Sequence, residues 1–349
     1  MRAWVLHGIG DLRYEEVDEP ELLDNEVLIS VKAAGICGSD IPRIYKNGAH
    51  KMPLILGHEF SGIVAKTGKA VKDNWQGKRV GVFPLIPCNS CVSCQKSQYE
   101  MCGQYSYLGS RRNGGFAEFV AVPEWNLIEL PQNVSYEEAA MLEPMAVAVH
   151  AMRRIELMQT DNVVVCGLGT IGQLLVMFLL ENGIRNIFVI GNKDSQKMSI
   201  LKMGVPEDNY CDSKTQDIKE WLMNRNGSQG IDVFFECVGK NATISRAVDL
   251  TAPAGKICLV GNPYSDLTLQ KDVYWKILRN QLSITGTWNS SYVHKNDDDW
   301  QYVLQKLEEK RIAPANLVSH RLSLEGLGQG FEIMRDKSEE YIKIMMTWS

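Results

Sequence analysis

Four cysteines, Cys88, Cys91, Cys94 and Cys102, fall in one short stretch with the spacing C-x2-C-x2-C-x7-C. Thiolates that close in sequence can surround a single ion without help from the rest of the chain. Zinc suits them, because it is satisfied by a tetrahedron of four soft ligands. Asn89, Ser90 and Ser93 between the ligands leave the loop free to wrap. An iron–sulfur cluster is the other group that four thiolates hold. A closed four-sulfur zinc site has no open coordination position, so it stabilises a lobe and performs no chemistry. The reacting groups must lie elsewhere.

A second set of ligand-type side chains is scattered through the same half of the chain: Cys37 in GICGSD, His58 and Glu59 in GHEFSG, and Glu143 in LEP. A thiolate, an imidazole and a carboxylate, with one position left for water or substrate, have the composition of a catalytic zinc site. Each residue alone has an ordinary structural explanation: a buried strand end, a core histidine bonded to backbone, a helix-end charge. Spacing does not join them.

Farther on, Gly167, Gly169 and Gly172 form G-x-G-x-x-G directly after the run NVVVC and directly before TIGQLLVMFLLEN. The first glycine permits a tight turn, the second lets backbone approach a pyrophosphate, and the third lets strand and helix pack closely, while the helix N-terminus offers free N–H groups. Thr170 and Ile171 open that helix, and Val260 ends a later strand; all three are candidate dinucleotide contacts. About twenty residues beyond the last glycine an acidic residue is expected, to bind the ribose 2′-hydroxyl of NAD. Here the strand ends Ile190-Gly191-Asn192-Lys193. No carboxylate is present, and a lysine beside a glycine suits the 2′-phosphate of NADP. Asn192 and Lys193 are therefore expected at the ribose, with NADP used at least as well as NAD; Asp194 supplies the acid if the strand runs on.

Two patterns of elements must position these groups. Residues 1–154 carry short β-rich runs, such as 26–31, 62–65 and 116–122, punctuated by Gly and Pro, with the cysteine loop inserted among them. Residues 155–285 alternate apolar strands (162–166, 187–190, 231–237, 256–260) with helical stretches, the signature of a parallel sheet buried on both faces. Residues 286–349 are irregular apart from an amphipathic stretch at 299–310, and are too short to stand alone, so they are expected to rejoin the first lobe. The expectation is an α/β protein: a β-rich domain from 1–154 with 286–349, and a doubly wound domain over 155–285.

The 349 residues, 45% of them hydrophobic, can bury sizeable cores. A net charge of -5 with dispersed basic residues gives no reason to expect nucleic acid. No run approaches the roughly 18 apolar residues that span a bilayer, so no membrane partner is expected. MRAWVLHGIGDLRYEEV has no basic segment leading into an apolar one, four of the nine cysteines are claimed by the metal loop, and Cys166, Cys237 and Cys258 sit in apolar strand-like runs as buried thiols, so a reducing cytoplasm is expected.

VLISVKAAGICGSD, LGHEFSGIV, the cysteine loop, GGFAEFV, LEPMAVAVHA and VVVCGLGTIG follow one another along the whole length, and their succession resembles the zinc-dependent medium-chain alcohol and polyol dehydrogenases. The resemblance implies a GroES-like catalytic domain built from both chain ends and a central Rossmann domain. It also implies two zinc ions per chain, a nicotinamide cofactor, a small-molecule alcohol as substrate and a homodimer or homotetramer. It maps Cys37, His58 and Glu143 onto the catalytic zinc, with Glu59 as an interchangeable ligand or supporting carboxylate. Ser39 is a first proton relay, or caps the helix that follows, and His50 is a further catalytic candidate. Glutamate at position 143 points to the polyol branch.

Segments IPRIYKNGAHKMPLILGHEFSG and YLGSRRNGGFAEF look closest to members acting on phosphorylated hexitols such as galactitol 1-phosphate. Arg43, Lys46, Arg111 and Arg112 lie in or beside them and suit a phosphate. Asn289, Asn47 and Trp288 are further substrate candidates. An unphosphorylated polyol such as sorbitol, or L-threonine, is the alternative. A non-enzymatic NADPH-binding relative would be expected to lose the zinc ligands that this chain keeps.

Overall fold

The computed structural model describes residues 1–227, 230–263 and 265–348. They form two compact units, Met1–Ala146 with Ser290–Ser349, and Val147–Asn289.

In the first unit the strand Glu26–Gly35 is the centre of a seven-stranded sheet. Val27, Ile29 and Val31 alternate into the hydrophobic core with Phe60, Val64, Phe116 and Phe331. Its antiparallel partners are Glu59–Thr67, Phe119–Pro123 and the C-terminal strand Lys343–Thr347. Gly35 is paired with Glu59 on one side and with Met345 on the other. A side chain there has no room: a Cβ would lie 2.5 Å from Glu59 Oε2 and 2.6 Å from Lys343 Cε. The register thus brings residues 59 and 343, from opposite ends of the chain, against one glycine. A two-stranded ribbon, Leu85–Ile86 with Ser106–Tyr107, closes the base of the cysteine loop and fixes Tyr107 opposite Leu85.

The second unit is a six-stranded sheet, parallel throughout, in the spatial order Tyr210–Asp212, Ile187–Gly191, Val163–Cys166, Ile231–Glu236, Thr251–Leu259, Ser283–Gly286. In chain order this is 3-2-1-4-5-6, the doubly wound arrangement in which a ligand binds beyond the carboxyl ends of the strands where the order reverses. Val163, Val164 and Val165 are fully buried, as a central strand with both faces covered requires. The helix Thr170–Glu181 starts four residues after that strand and buries Gly172 through Leu179.

Candidate metal centres and nucleotide turn

The four loop cysteines converge. Their sulfurs stand 3.9 Å (Cys88–Cys94), 3.6 Å (Cys91–Cys94) and 3.9 Å (Cys91–Cys102) apart. A zinc tetrahedron with bonds of about 2.3 Å has edges of about 3.8 Å, so the cradle fits that ion. The Cys88 amide donates to Cys102 Sγ at 3.3 Å and the Cys91 amide to Cys88 Sγ at 3.4 Å, as thiolate ligands require. Hydrogen bonds from the Ser90 hydroxyl and backbone bring the Cys88 thiol down to about 5.

The second group is built around His58, which ends the approach to the strand Glu59–Thr67. Cys37 follows the end of the central strand, and ligand atoms of Cys37, His58 and Glu59 all lie within 4.8 Å of one another. Glu143, in the first turn of the helix Leu142–Arg153, is buried but falls outside that mutual group. Its Oε1 accepts a 3.0 Å hydrogen bond from the Tyr107 hydroxyl, and burial pushes its carboxyl up. The Tyr107 ring packs edge-on against His58 with centroids 5.8 Å apart. His58 Nδ1 is buried without a hydrogen-bond partner, 3.5 Å from Asp40 Oδ1. Burial alone would drive the imidazolium down, but Asp40 and Cys37 outweigh it and the ring is held up at about 10. A ring that keeps its proton among so many acceptors marks a pocket short of positive charge, which a divalent cation would supply.

Three residues of this pocket carry no spacing signal in the sequence. Asp40 is fully buried and accepts from the Cys37 amide at 3.0 Å. The Ser39 side chain makes no capping bond, and its hydroxyl instead donates to Cys37 Sγ at 3.3 Å. Lys343, also buried, donates to Glu59 Oε2 and to Ile36 O. Tyr107 is the third. A reader of GICGSD sees an acid suited to a cap, and Lys343 lies about 280 residues from its partner.

The nucleotide turn also has the required shape. Gly167 sits at φ +98°, where a side chain is strained, and a Cβ on Gly172 would come within 1.9 Å of Gly167 O. A Cβ on Gly169 would meet nothing within 4 Å, so backbone faces open space at the start of the helix. Glu236, buried at the end of the neighbouring strand, ties down the adjoining loop by accepting from the Val238 and Gly239 amides and from Thr243 Oγ1, while its backbone carbonyl accepts from the Val260 amide.

The alcohol dehydrogenase GroES-like domain matches residues 23–132 and the zinc-binding dehydrogenase domain matches residues 170–309. Galactitol 1-phosphate 5-dehydrogenase of Escherichia coli K12 is 33% identical over 332 residues, covering 94% of this chain and 95% of that protein. The chain belongs to the zinc-binding alcohol dehydrogenase family. L-idonate 5-dehydrogenase of Vitis vinifera is 33% identical over 93% of this chain and 87% of its own. The crystal structure of galactitol-1-phosphate dehydrogenase from Escherichia coli superposes with a TM-score of 0.92 at 31% identity, covering all of both chains. The fold is accordingly a GroES-like unit plus a Rossmann unit, and the cofactors of this dehydrogenase are zinc and NAD or NADP.

The remaining sequence candidates are placed unequally in this dehydrogenase. Arg43 Nη1 is engaged with Asp40 at 2.7 Å, and Arg112 with the buried Glu26. Arg111 stacks 4.4 Å over the Tyr105 ring and donates to Tyr105 O, while its Nε is buried without a hydrogen bond. Lys46, Asn47 and His50 are exposed, and so is Trp288. Asn289 takes a left-handed conformation at φ +59° in the second unit. Thr170, Ile171, Lys193 and Val260 are half-buried and Asn192 is exposed.

Proposed function

We propose that this dehydrogenase oxidises a secondary hydroxyl of a phosphorylated polyol, galactitol 1-phosphate to tagatose 6-phosphate, with the phosphate held by Arg111 and Lys46. When bound, zinc would supply Lewis acidity at the alcohol oxygen and the nicotinamide a hydride acceptor. The chain's own part begins with Cys37, His58 and Glu59, which hold the cation, while Asp40 orients His58 and Lys343 orients Glu59. Tyr107 fixes Glu143 by a hydrogen bond and keeps it facing this pocket. The Ser39 hydroxyl, able to donate and accept, is the first carrier for the departing proton.

The observation that carries the phosphate assignment is a chain of contacts within the first unit. Arg111 stacks on Tyr105, the Tyr105 and Tyr107 rings are 6.1 Å apart, and Tyr107 touches both His58 and Glu143. A guanidinium with a buried, unpartnered Nε two rings from the metal ligands is suited to a charged substrate group. A second reading has its own support: Arg43 and Arg112 are already neutralised by Asp40 and Glu26, which favours a neutral polyol such as sorbitol, or L-threonine. Comparing kcat/KM for galactitol 1-phosphate, galactitol, sorbitol and L-threonine separates the two.

The reading includes a homodimer. The strand Ser283–Gly286 ends the six-stranded sheet, and Tyr274, Trp275, Leu278 and Ile284 are 54%, 51%, 50% and 41% exposed nearby in sequence. An open edge beside so much exposed apolar surface supports a second copy as its cover. Sedimentation as a monomer at micromolar concentration would refute this. No helix among the described residues is long and apolar enough to cross a membrane. Nine unbridged cysteines support residence in a reducing cytoplasm.

A further inference from the structure

Within the first unit a cavity of about 540 Å³ opens whose lining includes none of the metal ligands and no residue of the nucleotide turn. That volume is in the range that takes a small molecule. Four rings line it, Trp75, Trp125, Tyr292 and His294, together with the buried Leu127 and Ile128.

The rings are fixed at steep angles to one another. Trp125 lies edge-on to Tyr292 and to His294, with centroids 5.7 and 5.0 Å apart, and the Tyr292 and His294 rings are tilted at 4.4 Å. Phe83 and Tyr99 brace Trp125 at 6.0 and 5.1 Å, and the Tyr292 hydroxyl donates to Leu127 O, which holds that ring in place. His294 takes a left-handed conformation at φ +59°, uncommon for a residue other than glycine and typical of strain kept at a binding site. Burial pushes its imidazole down, so the ring is uncharged at neutral pH and brings no positive charge to the cavity.

The charged groups around the rings are offset with one exception. Glu124 accepts from the Lys72 and Asp73 amides and from Trp75 Nε1, and the Lys72 charge acts on the same carboxylate. Glu129 pairs with Lys78 at 2.7 Å, and that ammonium lies 5.1 Å from the Trp75 ring centroid. The chain thus already sets one ammonium over an indole of this wall. Asp73 forms no ion pair among the described residues.

We propose that this cavity binds a small methylated ammonium ion, set against the Trp125, Tyr292 and His294 rings with Asp73 as its counter-charge. Ring faces carry negative potential and attract a cation, indole most strongly. A methylated ammonium needs no hydrogen bonds, which suits a wall where the Tyr292 hydroxyl, Trp75 Nε1 and two carboxylates are engaged. A polyol would find few free partners there. A phosphate would face Asp73, Glu124 and Glu129 with Lys72 as the one lysine lining the cavity.

Calorimetric titration of the zinc-loaded full chain with tetramethylammonium chloride, at ionic strength held constant by potassium chloride, tests this. Binding should saturate at millimolar concentration, and ammonium chloride should bind at least about tenfold more weakly. His294→Ala and Asp73→Asn, both at exposed positions, should each weaken tetramethylammonium by about three- to tenfold, and Trp125→Phe, which keeps a ring against Tyr99 and Phe83, by about threefold. Trp348→Leu removes an exposed indole elsewhere and should change nothing. The proposal is overturned if tetramethylammonium fails to saturate, if ammonium binds equally well, or if His294→Ala and Asp73→Asn leave the affinity untouched. Sorbitol binding that is lost in His294→Ala would make this a polyol site and overturn it as well.

Discussion

Asp40 and His58 face each other in a fully buried contact, carboxylate to imidazole Nδ1 at 3.5 Å, with Arg43 holding the same carboxylate oxygen at 2.7 Å. In the proposed metal centre Asp40 is the carboxylate placed to orient His58. Asp40→Asn keeps the shape and removes the charge. It should lower zinc affinity by about 10- to 100-fold with little change in the closed cysteine site. Chelator competition on dialysed protein reads the two sites separately, and an unchanged weak-site affinity would remove Asp40 from the metal centre.

Zinc uptake at the Cys37–His58–Glu59 group should depend on pH. The His58 ring is held near 10 against an ordinary 6.5, so at neutral pH the cation must displace a proton. Apparent affinity should rise by about tenfold per pH unit between roughly 7 and 9. For the metal-free protein the sign is opposite. A folded-state value above the unfolded one gives stability that is full below about pH 6.5 and is lost as pH rises through about 10. Urea titrations of metal-free protein at pH 6 and pH 9.5 should show the second to be less stable, with the difference reduced in His58→Ala. Metal analysis should find two zinc ions in the wild type and one in Cys37→Ala.

Lys343 and Glu59 are each buried, and the lysine ammonium donates directly to the proposed ligand. Removing it strands a buried carboxylate, which typically costs about 3–5 kcal/mol. Lys343→Met should therefore unfold at markedly lower urea when metal-free. Zinc should restore part of the loss, because the cation takes over as the partner of Glu59. An identical loss with and without zinc would mean that Glu59 does not face the metal.

The parts of this protein that are legible in its sequence are those whose chemistry is local. The Cys88–Cys102 spacing and the Gly167–Gly172 turn each hold a complete physical requirement within about fifteen residues, so the structure brings their members together as read. Cys37, His58 and Glu59 are joined only by strand register, through Gly35 and the pairing of residues 35 and 59, and no periodicity announces that. Lys343 reaches the pocket because the C-terminal strand returns to the first sheet. The basic residues were the least legible: Arg43 and Arg112 resemble Arg111 in sequence, yet buried acids at positions 40 and 26 engage the first two, whereas Arg111 stacks on the Tyr105 ring and donates to Tyr105 O.

That difference decides the substrate prediction. If Arg111 and Lys46 hold a phosphate, charge-assisted hydrogen bonds of about 1.5–3 kcal/mol each translate into roughly ten- to a hundredfold per bond in affinity. Arg111→Ala should then lower kcat/KM for galactitol 1-phosphate by that factor and leave galactitol and sorbitol nearly unchanged, closing the gap between phosphorylated and free polyol. Arg43→Ala should behave differently. It frees Asp40 from its ion pair, so its effect should fall on zinc affinity and on all substrates alike, rescued in part by excess zinc. Measuring both variants against the four-substrate panel separates a phosphate ligand from a support of the metal site. Turnover of a free polyol equal to or better than that of its phosphate in the wild type would overturn the phosphate assignment and leave the zinc-binding dehydrogenase standing.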